Sequence, residues 1–70
     1  MLEFKDLIKR ERKKKRLTQK KVADLIGIGS RNYTLYQSWE YGQTLPDAKN
    51  LLKLIEVLGL DPEEVKEVLE

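Results

Sequence analysis

The chemistry open to this 70-residue chain is set first by what it lacks. It has no histidine and no cysteine, so the usual general base near neutral pH, the thiolate nucleophile and the commonest metal ligands are missing. Serine, lysine, aspartate and glutamate are present. No two of them sit at a spacing that makes a nucleophile with its base, and no glycine-rich loop opens a helix to cradle a phosphate. Catalysis, a metal, a cofactor and a small-molecule ligand are therefore not expected. What remains is binding. Residues 1–21 carry ten Lys/Arg against Glu3, Asp6 and Glu11, a net +7, whereas residues 22–70 carry four against nine, a net −5. A chain of overall charge +2 polarised in this way suits a polyanionic partner at one end. The cations come from Lys9-Arg10, from Arg12 through Arg16, and from Lys20 and Lys21.

Helices must position these groups. A first helix over about 3–15 places Phe4, Leu7 and Ile8 on one face at the spacing of a half-buried helix. Thr18 is suited to cap a second, whose inner face is Val22, Leu25 and Ile26 and which Gly27 ends. A turn, Gly27-Ile28-Gly29-Ser30-Arg31, leads to a third helix from about Tyr33 to Tyr41, capped by Ser30 or Asn32 and ended by Gly42. After the loop Gln43–Pro46, Asp47 caps a fourth helix with the stripe Ala48, Leu51, Leu52, Ile55 and Leu58, ending at Gly59. Asp61-Pro62-Glu63-Glu64 opens a fifth with a cap, a first-position proline and an acidic residue three after the cap; Val65, Val68 and Leu69 face inward. No segment alternates as a half-buried strand would, so residues 1–70 read as one all-α domain. No apolar run approaches the roughly 20 residues of a membrane span, and no apolar signal region follows the basic N-terminus. Together with the absence of cysteine, this suits the cytoplasm.

The second and third helices have the parts of a helix-turn-helix over about residues 18–41. Ala23 is the small residue where the helices cross, Gly27–Arg31 is the turn, and Tyr36 and Trp39 dock the third helix. With Asn32 as cap, Tyr33, Thr34, Gln37 and Ser38 fall on the outward face. Their chemistry suits a DNA major groove, where glutamine can bond adenine twice, serine and threonine either edge, and threonine or tyrosine a thymine methyl.

The string Leu17-Thr18-Gln19-Lys20-Lys21-Val22-Ala23-Asp24-Leu25-Ile26-Gly27 resembles the second helix of the phage-repressor/Cro-like (XRE) family. Trp39-Glu40-Tyr41-Gly42 followed by Leu45-Pro46-Asp47 is similar to the segment after that family's recognition helix, and residues 51–69 to its last two helices. The resemblance covers about residues 4–69. It implies a five-helix lambda-repressor-like fold that binds double-stranded DNA as a homodimer. It implies base contacts for Tyr33, Thr34, Gln37 and Ser38, a phosphate contact for Gln19, and an ion pair of Arg12 with Glu40 bracing the recognition helix. Arg16, Lys20, Arg31, Asn32, Gln43 and Thr44 are further candidates for phosphate.

Two departures stand out. Glu40 comes thirteen residues after Gly27 where the family has ten, so three residues either lengthen the turn, the reading favoured by the glycines, or add almost one turn to the third helix. The loop after Gly42 has neutral Gln43 and Thr44 where the family often has a cation. The expected function is a sequence-specific transcriptional regulator, most simply a repressor. The alternative is a helix-turn-helix kept as a protein-interaction module or as an antitoxin that holds a protein partner.

Overall fold

The computed structural model describes residues 2–69. Its first helix, α1 (Phe4–Lys14), starts with the Glu3 N–H donating to the Asp6 carboxylate at 3.2 Å and ends with Arg12, Lys13 and Lys14 in its last turn. Charges placed so, acid first and base last, oppose the helix dipole. Phe4, Leu7 and Ile8 are buried, and so is Glu11, which no apolar pattern marks. Arg10 Nε donates to Glu11 at 2.8 Å, and Lys14 stands 3.4 Å from the same oxygen.

After α2 (Gln19–Leu25) come a single 3-10 turn (Ser30–Asn32) and α3 (Tyr33–Glu40), then α4 (Ala48–Leu58) and α5 (Pro62–Leu69). There is no strand among the described residues, so the architecture is all-α with five helices. Thr18 caps α2 by accepting from the Lys21 N–H at 3.0 Å, and Asp47 caps α4 by accepting from Asn50 at 2.9 Å. Asp61 accepts the Glu63 N–H at 3.0 Å at the start of α5. Glu64, expected to serve that cap, instead takes two hydrogen bonds from Arg10, at 3.0 and 3.2 Å, and ties α5 to α1.

Three helices end in the same backbone motif. At α2 the Ile28 N–H reaches the Ala23 carbonyl and the Gly27 N–H reaches Asp24, with Gly27 at φ +92°. At α3 the pairs are Gln43 to Ser38 and Gly42 to Trp39. At α1 they are Leu17 to Arg12 and Arg16 to Lys13. The left-handed residue of this motif is usually glycine, but in α1 it is Arg16, at φ +56°.

The core joins Phe4, Leu7 and Ile8 of α1 to Val22, Ala23 and Ile26, to Tyr36 and Trp39 of α3, and to Leu54, Leu58, Leu60 and Val65. Tyr36 and Trp39 meet edge to face at 5.8 Å, an arrangement that adds to their burial. Several expected inner residues lie outside. Leu25 is 46% exposed, because α2 has only seven residues and Val22, Ala23 and Ile26 fill its inner arc. On α4 the deep residues are Leu54 and Leu58; Leu51 and Ile55 flank them, while Ala48 and Leu52 (67% exposed) look outward. Leu52 falls about 200° from Leu54 at 100° per residue. Leu69 of α5 is also exposed.

A left-handed arginine carries a steric cost that glycine avoids. Arg16→Gly is expected to stabilise the fold by about 1 kcal/mol, raising Tm by roughly 4–8 °C in a domain of this size. Thermal unfolding followed by circular dichroism measures it, and an unchanged or lowered Tm contradicts the strain.

Candidate nucleic-acid interface

Ala23 is fully buried, so α3 can lie close across α2, and the turn between them controls which face of α3 looks out. Gly27 and Gly29 both have φ near +90°, and the chain then winds through the 3-10 turn Ser30–Asn32 directly into α3. The three residues in excess of the family spacing therefore lengthen the turn, as a 3-10 segment, and α3 starts at Tyr33 with Asn32 at its N-cap position. Neither expected side-chain cap is made. Asn32 instead donates Nδ2 back to the Ile28 carbonyl at 2.8 Å, locking the turn, and Ser30 is simply exposed within the 3-10 segment.

With Tyr36, Trp39 and Glu40 buried, helical geometry gives Thr34, Ser38 and Tyr41 the outermost stripe of α3. Tyr33 and Gln37 fall on the flank towards α2. Thr34, Arg31 and Asn32 are exposed, whereas Tyr33, Gln37 and Ser38 are half-buried. The Tyr33 ring lies 5.1 Å beneath the Lys20 ammonium, a cation–π contact that positions Lys20. Ser38 donates to the Leu35 carbonyl at 2.6 Å and is joined to Thr44 across 2.6 Å. If Ser38 spends its proton on Leu35, the Thr44 hydroxyl must supply the other, which leaves both oxygens as acceptors only. Gln43 beside them is exposed.

An ion pair sits beneath this face. Arg12 on α1 donates Nε and Nη2 to the two carboxylate oxygens of Glu40, at 2.6 and 3.0 Å, and Nη1 to the Leu17 carbonyl at 2.9 Å. Only 12% of the arginine side chain and 2% of the glutamate side chain are exposed. Burial alone would raise the Glu40 pKa, but hydrogen bonds from Arg12, assisted by Tyr36 and Gln19, outweigh it and hold the carboxyl below the usual range. The Tyr36 hydroxyl is buried beside this carboxylate without a well-formed hydrogen bond, and burial drives its own pKa far up. Gln19 donates Nε2 to Glu40 at 3.2 Å and accepts from Gln37 Nε2 at 3.0 Å. A polar chain thus runs from α1 through α2 to the flank of α3.

Around the pair opens a cleft of about 480 Å³ lined by Lys9, Arg12, Lys13, Arg16, Thr18, Gln19, Glu40 and Tyr41. It gathers Arg12, Arg16, Gln19 and Glu40 from the sequence-derived candidates and adds Lys9, Lys13 and Tyr41. Arg31 and Asn32 lie at the other end of α3. Tyr41 is 59% exposed; its seven-residue offset from Thr34 was the available signal that it shares the outward face. Leu35, also exposed, occupies the flank of α3 opposite Gln37. Among the described residues no group of acidic side chains could hold a metal ion, and no helix is long and apolar enough to cross a membrane.

A short helix docked on a second across a tight turn, with a polar outward face beside a basic cleft, defines a helix-turn-helix module. Residues 8–65 match the helix-turn-helix family model, and the chain belongs to that family, as a transcriptional-regulator domain of the XRE/Cro type. It is similar to YqaE of Bacillus subtilis (strain 168), described as an uncharacterized HTH-type transcriptional regulator. The two are 40% identical over 57 residues, 81% of this chain and 47% of the relative. The chain spans about half the length of that curated relative. No solved structure matches it.

Removing Arg12 would leave a buried, unpaired carboxylate. Arg12→Met is expected to cost about 3–5 kcal/mol at neutral pH, comparable to the entire stability of many domains of this length. The sign of the pH dependence should also reverse. In the natural chain Glu40 titrates below its ordinary value of 4.5, so its contribution is present at neutrality and is lost as pH falls through the folded value. In the variant burial dominates and acidification restores part of the loss. Urea unfolding at several pH values checks both, with Arg12→Met/Glu40→Leu expected to regain most of the stability.

Proposed function

We propose that this chain is a sequence-specific double-stranded DNA-binding regulator, a repressor that lays α3 in the major groove and acts as a homodimer in the cytoplasm. The observation that carries the reading is the continuity of two chemistries. The base-reading groups of α3 and the cations of the α1–α2 cleft share one surface, joined at Gln19, and DNA presents base edges beside phosphates in just this way. In this reading Tyr33, Thr34, Gln37 and Ser38 address bases. Gln19, Lys20 and Arg16 address phosphates on the α1–α2 side, with Arg31 and Asn32 at the leading end of α3 and Gln43 and Thr44 after it. Lys9, Lys13 and Tyr41 extend the phosphate path.

One recognition helix spans only a few base pairs, so two-fold pairing of half-sites about 34–36 Å apart is the economical source of specificity. Glu63 and Glu67 are exposed on α5, and like charge keeps that face off the phosphates.

Selection of duplexes from a randomised pool, followed by anisotropy across a salt series, tests the reading. The expected result is a two-fold site bound at least about a thousandfold tighter than scrambled DNA. If about six phosphates are neutralised per dimer, affinity should fall with log salt at a slope of about −5. Sedimentation should give a dimer on that site. Monomer alone, with and without DNA, overturns the dimer. Failure to bind any duplex at low salt overturns the regulator in favour of a protein-interaction module.

A further inference from the structure

We infer that Arg16 is kept on a left-handed backbone for the sake of its side chain: with Lys9 and Lys13 it grips a phosphate of the DNA, and the fold gives up stability at this residue in return for affinity. The inference rests on the DNA-binding function proposed above and concerns why one helix end departs from the other three.

Residue 16 has to be left-handed. The Leu17 and Arg16 N–H groups close α1 on the Arg12 and Lys13 carbonyls. The chain then reverses, so that the Leu17 carbonyl accepts from Arg12 Nη1 and Thr18 caps α2. Glycine makes such a reversal without steric cost, and glycine ends α2, α3 and α4, with Gly27, Gly42 and Gly59 at φ +92°, +76° and +65°. Arg16, at φ +56°, is the exception among the described residues. All that it adds over glycine is a side chain. That side chain is exposed and makes no hydrogen bond or ion pair among the described residues. A group that strains the backbone and ties nothing together within the chain points to a partner outside it.

Most neighbouring cations are already engaged. Lys5 pairs with Glu3, Arg10 with Glu11 and Glu64, Arg12 with Glu40, and Lys14 with Glu11. Lys15 lies against Gly59 at the end of α4, and Lys20 lies over the Tyr33 ring. Lys9, Lys13 and Arg16 have no such partner among the described residues, and all three line the cleft beside Gln19 and Tyr41. Lys9 and Lys13 stand one helical turn apart, and Arg16 carries the row past the end of α1. A phosphate suits this row. The planar guanidinium can bond two of its oxygens side by side, and the two ammonium groups add charge without a fixed geometry. Through Tyr41 the cleft borders the outward face of α3, as the phosphates of a duplex border its base edges.

The test sets stability against affinity. On the selected duplex, Arg16→Gly should bind about tenfold more weakly per protomer, with a salt slope shallower by about 0.9, although its Tm rises. Arg16→Asn tolerates the same backbone without the flexibility of glycine and should bind as weakly. Arg16→Lys keeps the charge and the strain, and should hold both the natural salt slope and the natural Tm. Lys53→Ala removes one charge from α4 outside the cleft and should change affinity by less than about threefold, because distant exposed charges are screened. A single methylphosphonate moved along each strand of the duplex locates the phosphate. At one position the natural chain should lose about tenfold and Arg16→Gly nothing further. If Arg16→Gly or Arg16→Asn binds as tightly as the natural chain, if Arg16→Gly fails to raise Tm, or if no methylphosphonate removes the difference between them, the inference is overturned and DNA binding stands. A chain that binds no duplex at low salt overturns both.

Discussion

The Arg12–Glu40 pair holds three helices in register, because it is made from three directions at once. Its arginine sits on the last full turn of α1, its glutamate on the last residue of α3, and its third hydrogen bond reaches the Leu17 carbonyl just ahead of α2. Fixing these points sets the angle at which α3 crosses α1 and the distance of the α2 start from both. A lysine would do this less well, since its three donors diverge from one nitrogen, whereas a planar guanidinium meets both carboxylate oxygens side by side and a carbonyl besides. The pair is partly enclosed, so its attraction is weakly screened, and enclosure also makes either partner costly to leave alone.

Apolar packing and the polar chain divide the work of holding α3. Tyr36 and Trp39 press its inner face into the core against α1 and α2, and burial of aromatics of this size is worth several kcal/mol. That contact is indifferent to small rotations of the helix. Directional hydrogen bonds from Gln19 to Glu40 and from Gln37 to Gln19 remove the remaining freedom. Both ends are pinned too: the Asn32 side-chain amide donates to the Ile28 carbonyl at the entry to α3, and the Ser38 and Thr44 hydroxyls meet at its exit. The base reading proposed for α3 needs such support, because an error of an ångström at a base edge loses the hydrogen bond.

Much of this was legible from residue order. Thr18, Asp47 and Asp61 declared helix starts, Gly27, Gly42 and Gly59 declared ends, and Phe4, Leu7, Ile8, Tyr36 and Trp39 declared the core. The misreadings share a cause. Leu25, Leu52 and Ala48 read as inward from residue order because apolar residues on a short helix fit more than one stripe; which stripe is buried depends on where neighbouring helices lie. Glu64 reads from the sequence as part of a cap, yet Arg10, 54 residues earlier, claims it; Glu11 enters the sequence reading only as a charge, yet it is buried beside the same arginine. Arg16 gave no sign of its left-handed backbone, since the motif that places it there is written in glycine elsewhere in this chain.

The all-α class, the five helices, the helix-turn-helix and the uneven charge could be read from residue order, because they follow from local spacing, capping and composition. How the three additional residues are used, and how the candidate side chains are oriented, depends instead on contacts between helices. The 3-10 turn depends on the space between α2 and α3. Side-chain direction depends on partners that lie 18 to 54 residues away, such as Gln19 for Gln37 and Glu64 for Arg10. Local pattern records which groups a chain owns. The direction in which each of them donates or accepts is fixed by what packing brings within three ångströms.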